Sequence, residues 1–245
     1  MPLITMFRTP RARSFSWLLR AIFASVSLTG AQLTLASHAP PDAHPTIRAL
    51  SGATPLDRLD PASTALLVID FQNEYFSGRL PIDDGMQALE NTRRLIQFAD
   101  KNKIAVYHVQ HVAPAASAVF ALDGEGVKFH PLMQPRAGDA VVQKSNVSAF
   151  AATDLDARLK RANIKTLIIS GLMTHACVAG AARDAAPACY GVVVASDATA
   201  TRAITRVGGQ AVSKDELHRA ALAEIEDTFG DVLTTDQIIA LPARG

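Results

Sequence analysis

A thiol, a carboxylate and an ammonium stand where the chain leaves three apolar runs. They are Cys177 in SGLMTHACV (170–178), Asp70 closing ALLVID (65–70) and Lys144 closing VVQK (141–144). A cysteine in a tight turn between a strand and a helix feels the positive end of the helix dipole and free backbone N–H groups, which favour thiolate. The same N–H groups can hold a developing oxyanion. Each residue also has a plain structural reading. Cys177 can be a buried helix cysteine, Asp70 a cap for the following FQNEYF turn, and Lys144 a solvated strand end. A carboxylate closing an apolar strand must leave the core or find a partner. What argues for chemistry is the coincidence of all three at one edge of one sheet.

The elements that would position them follow from hydrophobic pattern. ALLVID is a continuous apolar run, the mark of a strand buried on both faces. Leu89, Thr92, Ile96 and Ala99 recur at spacings of three and four, predicting a helix over 85–102. Further strands are expected at 104–110, 141–144, 166–171, 191–198 and 232–235, with a helix over 152–162 and another beginning near His175. Ser213 and Glu216 form a capping box that opens a helix carrying Leu217, Ala221 and Ile225. Strands alternating with helices, without a hairpin signal, predict an α/β fold: a six-stranded, mostly parallel sheet with helices on both faces. Ligands in such sheets bind beyond the carboxyl ends of the strands, near the topological switch point.

Three segments in order, ALLVIDFQNEYF, VVQKSNVSAF and LIISGLMTHACV, followed by RDA and VASDA, resemble the isochorismatase-like cysteine hydrolases over about residues 63–240. The resemblance implies a Rossmann-like fold with an Asp–Lys–Cys triad, which falls on Asp70, Lys144 and Cys177. It also implies a cis peptide between Leu172 and Met173, with the Met173 and Cys177 N–H groups as oxyanion hole. Hydrolysis would then be covalent, with Lys144 and the helix terminus favouring thiolate, Asp70 moving the proton and water clearing an acyl-enzyme. Relatives are commonly dimers or tetramers, so a homo-oligomer is expected.

Departures from the family narrow this reading. The metal-binding Asp-x-His of nicotinamidases is not matched by VYHVQHVAP, and on a strand His108 and His111 face opposite ways. Both are read as ordinary histidines, with no metal and no cofactor expected. Isochorismatases that cleave a vinyl ether need no cysteine nucleophile, so Cys177 points to C–N bond hydrolysis of a small amide, carbamoyl or lactam-like substrate. The rival readings are a vinyl-ether hydrolase and a non-catalytic binding protein on the same fold. Ala181 stands where many relatives carry Ser or Thr. Phe76, Phe129, Phe150 and His175 are candidates for the substrate-pocket wall, Phe150 foremost because it lies shortly after Lys144.

The remaining features bound the setting. With 24 basic and 23 acidic side chains the net charge is +1, which gives no electrostatic reason to expect a nucleic-acid partner. No glycine-rich phosphate motif follows a strand, and Gly208-Gly209 falls in a loop. Residues 1–36 read as a secretory signal peptide: Arg8, Arg11, Arg13 and Arg20 without an acidic residue, then AIFASVSLTGAQLTLA. Cleavage is expected after Ala36 or Ala31, giving an exported protein without stable membrane association; a retained anchor is the alternative. Residues 37–62 read as a linker or extended arm, and 63–241 as the hydrolase domain. Cys177 and Cys189 are not expected to bridge. A helix between them would span about 18 Å, against the roughly 7 Å that bridged Cα atoms allow. Cys189 is read as a small buried hydrophobe.

Overall fold

The computed structural model describes residues 44–244. The expected signal peptide and the first part of the 37–62 segment lie outside the described residues. Six parallel strands, β1 (Thr64–Ile69), β2 (Ala105–His111), β3 (Ala140–Lys144), β4 (Thr166–Leu172), β5 (Gly191–Ala200) and β8 (Asp231–Leu233), form one sheet in the order β3-β2-β1-β4-β5-β8. From β1 the chain builds outward through β2 to β3, then crosses back to β4 on the other side of β1. The β1–β4 seam is therefore the switch point, where crevices open in such sheets.

β1 shows why the sheet sits where it does. All six of its residues are buried. Leu66 and Val68 belong to one apolar layer, Ala65, Leu67 and Ile69 to the other. A two-residue period thus feeds two cores from one strand. Helix α2 (Gly85–Asn102) closes the first layer with Ala88, Leu89, Leu95, Phe98 and Ala99. Its buried stripe runs through Leu95; Ile96 packs at the margin. The second layer is closed by α3 (Leu155–Arg161), α4 (Ala179–Ala185) and α5 (Lys214–Thr228). In α4 the inward residues are Ala179, Ala181, Ala182 and Ala185, all buried, so position 181 is part of the apolar layer. The capping box of α5 is formed by Ser213 and Glu216 as expected.

Several expectations need correction. A short antiparallel hairpin, β6 (Ile204–Thr205) with β7 (Ala211–Val212), flanks the Gly208-Gly209 turn where no hairpin signal was read. Thr234 does not extend β8; it caps α6 (Thr235–Ala240) through a capping box with Gln237. From residue 44 the N-terminal segment is docked on the domain. Within it α1 (Ile47–Leu50) donates the Ile47 N–H to Asp227, Arg48 pairs with Asp231 at 2.8 Å, and Leu59 is buried and backbone-bonded to Pro242 and Arg244. Cys189 is exposed, not buried, in a left-handed conformation (φ 70°) after α4, and both cysteines are free thiols. Pro187 and the turn around it carry Cys189 off the sheet-facing side that the alanines of α4 occupy.

Candidate active site

β1 and β4 meet at a glycine at their carboxyl ends. Ile69 is in register with Gly171, whose φ is 144° and where an added Cβ would run into the Ile69 carbonyl oxygen. Only glycine meets both demands. Immediately after this seam the two strands release their reactive groups. Asp70 takes a left-handed φ of 55°, donates its N–H to Val109 O at 3.0 Å and accepts the Gln72 N–H at 2.8 Å. That tight turn folds the carboxylate back beneath the following loop. β4 ends in a cis peptide between Leu172 and Met173, and the chain then makes a wide turn, Thr174–Val178, closed by Val178 N–H to Met173 O at 3.2 Å. Cys177 rides on this turn, ahead of α4 rather than on the first residue of an α-helix.

The three sequence-marked groups meet. Lys144 Nζ lies 2.8 Å from Asp70 Oδ2 and 3.3 Å from Cys177 Sγ, with all three residues buried. A fourth group joins them: His111 Nδ1 is 2.9 Å from the same ammonium. His111 and Lys144 are paired residues of the adjacent parallel strands β2 and β3, so their side chains leave on the same face. The ammonium also donates to Asn146 O at 3.2 Å. An Asp oxygen, an imidazole nitrogen and the Cys177 sulfur all lie within 4.8 Å of one another, a donor set that zinc favours. Lys144 Nζ, however, fills the middle of that set. A metal ion would have to displace a buried, fully engaged ammonium, so the residues as placed do not fit one.

Electrostatics assign the protons. Burial alone would depress the Lys144 ammonium, but the Asp70 carboxylate and then Cys177 outweigh it and hold its pKa above the ordinary value. Burial, then the Asp70 charge, push the Cys177 thiol up to about 12, against the pull of Lys144. This corrects the expectation of a thiolate favoured by a helix terminus. One buried cation balances one buried anion, and a thiolate beside Asp70 would be a second anion in a low-dielectric space. At rest the surroundings favour the protonated thiol on Cys177 and the ammonium on Lys144.

Aromatic groups that the sequence did not single out also stand beside the reactive groups. Tyr75, buried, has its phenol held well above its ordinary pKa by burial, then by its neighbours Cys177 and Asp70. Phe120 packs edge-on against Tyr75 at 5.3 Å and against the His111 ring at 4.8 Å. Neither Tyr75 nor Phe120 carried a sequence signal, because both sit in segments without periodicity. Of the expected wall residues, Phe76 packs against His130 at 4.4 Å, Phe129 against His108 at 5.9 Å and Phe150 against Tyr190 at 6.0 Å. His175 is half-buried and tied to Thr201 Oγ1 through Nδ1 at 2.6 Å. Beside it Arg202 has a buried Nε without a partner among the described residues. Arg202 and Arg79 line a cleft of about 320 Å³ with Leu80, Pro81, Asp83 and Ala203.

Residues 64–237 match the Isochorismatase domain family. The chain belongs to the isochorismatase family. Isc1, a secreted isochorismatase effector of Verticillium dahliae, is 32% identical over 184 residues, covering 73% of this chain and 94% of its own. The ureidoacrylate amidohydrolase RutB of Methylobacterium radiotolerans is 34% identical over 115 residues, 46% of this chain and 41% of its own. A cysteine hydrolase from Pseudomonas syringae superposes with a TM-score of 0.72 at 26% identity, covering 80% of this chain and 96% of that structure. This member of the isochorismatase family is a hydrolase of the cysteine-hydrolase type, with amidohydrolases among its relatives.

Proposed function

We propose that this isochorismatase-family hydrolase cleaves a C–N bond in a small amide-like molecule through a covalent acyl-enzyme on Cys177. The observation that carries the reading is the contact of Lys144 Nζ with both Asp70 and Cys177 inside a buried site. The thiol proton passes to Asp70, Sγ then bonds to the substrate carbonyl carbon, and the carbonyl oxygen becomes an oxyanion held by the Met173 and Cys177 N–H groups. The C–N bond then breaks, and Asp70 returns the proton to the departing nitrogen. Water, deprotonated by Asp70, attacks the thioester; the C–S bond breaks, and Cys177 leaves as thiol by regaining that proton. Before bond formation a transfer from thiol to carboxylate leaves the site's charge unchanged, since Lys144 balances one anion throughout. That is why a thiol with so high a pKa still serves as nucleophile: the acceptor is adjacent and no extra charge is buried.

A substrate carrying a negative group would suit Arg202, whose charge reaches the Tyr75 phenol. Export is part of the same proposal, supported by the basic and apolar character of residues 1–36 and by the secreted relative Isc1. The test is a screen of small amides, with and without a carboxylate, for ammonia or amine release by the wild type and Cys177→Ser. Release by the wild type, a trapped adduct of acyl mass on Cys177, and loss of turnover in Cys177→Ser are expected. Turnover unchanged in Cys177→Ser would overturn the covalent route.

A further inference from the structure

Lys144 must hold one place while its surroundings change charge. Before attack it faces a carboxylate and a thiol; after proton transfer it faces a carboxylic acid and a thiolate, then a thioester. Two of its partners therefore alter during each turnover. A buried ammonium on a flexible four-carbon stem follows the nearest anion unless another acceptor fixes it. His111 Nδ1, 2.9 Å away, is an acceptor that undergoes no change in the reaction.

The ring is itself fixed from behind. Gln72, fully buried, clamps the His111 backbone in both directions: its Oε1 accepts the His111 N–H at 2.8 Å and its Nε2 donates to the His111 carbonyl at 2.8 Å. The same amide donates to Val127 O at 2.7 Å, which ties the covering loop to the strand end. Phe120 covers the ring face. For Nδ1 to accept from an ammonium, the imidazole must be neutral with its proton on Nε2.

We propose that His111 is a positioning residue of the active site, a neutral acceptor that pins the Lys144 ammonium between Asp70 and Cys177 through every charge state of the reaction. This rests on the reading of Cys177 as nucleophile. His111 does not serve as the base, because Lys144 occupies its Nδ1 and Asp70 is the group left to take the thiol proton. The charged and titratable groups facing the ring are Lys144 from β3, Asp70 from the end of β1 and Cys177 from the turn after β4; Phe120 and Gln72 are neutral. Burial, then the Lys144 charge, hold the imidazole below its ordinary pKa, which keeps the lone pair available. When pH falls far enough to protonate it, the acceptor becomes a donor facing another cation, and the Asn146 carbonyl is left as the lysine's only unchanging acceptor among the described residues.

The experiment compares His111→Asn and His111→Leu, with Cys177→Ser as reference, reading kcat, KM, melting temperature and the pH profile of turnover. Asn places an amide oxygen where Nδ1 stands and does not titrate; Leu fills the space without an acceptor. Expected are a loss in kcat of about 10- to 100-fold for His111→Leu with little change in KM, and activity within about threefold of wild type for His111→Asn. The acidic limb assigned to the imidazole should be absent in His111→Asn. Equal activity in both variants, whether high or low, with folding intact by melting temperature, would overturn the proposal. An active Cys177→Ser enzyme would instead sink the nucleophile reading on which it rests.

Discussion

Strand β2 carries two histidines three residues apart, and they lead opposite lives. His111, at the strand's carboxyl end, is half-buried and has its Nδ1 on the Lys144 ammonium. His108, in the middle, is 1% exposed, and neither ring nitrogen has a well-directed hydrogen bond among the described residues. Its Nε2 lies 3.3 Å from Asp139 Oδ2, but that carboxylate is already held by Arg136 through Nε at 3.0 Å and backbone N–H at 2.9 Å. Burial outweighs the Asp139 charge and lowers the pKa of His108. Both histidines are thus neutral at rest, yet only one touches reactive groups. The difference lies in where the strand ends: beyond the sheet's carboxyl edge side chains meet across strands, whereas in the middle they are sealed beneath a helix and a loop.

The largest effects are expected on the His111 side. Asp70→Asn, Lys144→Met and Cys177→Ala should each reduce turnover by about 10⁴-fold or more, since residues acting as one unit fail together. Lys144→Met also strips Asp70 of its counter-ion, and leaving a buried charge uncompensated costs about 3–5 kcal/mol. Its melting temperature should therefore drop, while Cys177→Ala should melt near the wild type. Calorimetry of the two variants checks this; equal melting temperatures would mean that Asp70 does not depend on the lysine for its burial. Next comes the seam that brings the site together. Gly171→Ala forces a Cβ into the Ile69 carbonyl and should cost about 3 kcal/mol with loss of activity, because both Asp70 and Cys177 hang from that contact. A variant with wild-type denaturant midpoint would show that the strands can part without harm.

On the other side the expected effects are small and concern stability. His108 binds its proton less readily folded than unfolded. Its contribution is therefore fully present above the unfolded value, about 6.5, and is lost as pH falls from there toward the lower folded value. Replacing a buried ring without well-made hydrogen bonds by an apolar one removes that liability. His108→Phe should keep wild-type turnover and show a flatter melting temperature between about pH 6.5 and 5. Activity falling as steeply as in His111→Leu would erase the distinction between the two histidines.

How much of this was legible beforehand follows the same division. β1, β2 and β4 announce themselves because strands buried on both faces are written as unbroken apolar runs. Asp70 and Lys144 stood out because each interrupts such a run, and the Asp–Lys–Cys convergence followed from three strand ends sharing one edge. Pattern could say that His108 and His111 point opposite ways, but not which of them faces the thiol; that depends on the register of β2 with β3. Tyr75, Phe120 and Gln72 were invisible because loops have no period, and their places come from hydrogen bonds such as the Gln72 clamp across 39 residues of sequence. The thiol's protonation was misread for a related reason. A dipole argument can be made from a turn before a helix, whereas burial beside a carboxylate needs the fold. The β6–β7 pair was missed because strands of two residues leave no alternation to detect.

The two cysteines give the same contrast its smallest and cleanest test. Cys189 is exposed, and its sulfur comes only within 3.9 Å of the Pro187 carbonyl oxygen, so it is a thiol without assigned chemistry. Cys177 is buried with a pKa near 12, so in the resting enzyme it should react slowly with iodoacetamide despite being the nucleophile. Cys189→Ser should change stability by less than about 0.5 kcal/mol and leave turnover untouched. In that background, alkylation followed by mass spectrometry reads Cys177 alone. Slow labelling that accelerates in Asp70→Asn, where the neighbouring anion is gone and Lys144 is left to favour thiolate, would show that Asp70 keeps the sulfur protonated at rest. Fast labelling in the presence of Asp70 would mean that the thiolate is already formed, and that the proton moves before the substrate arrives.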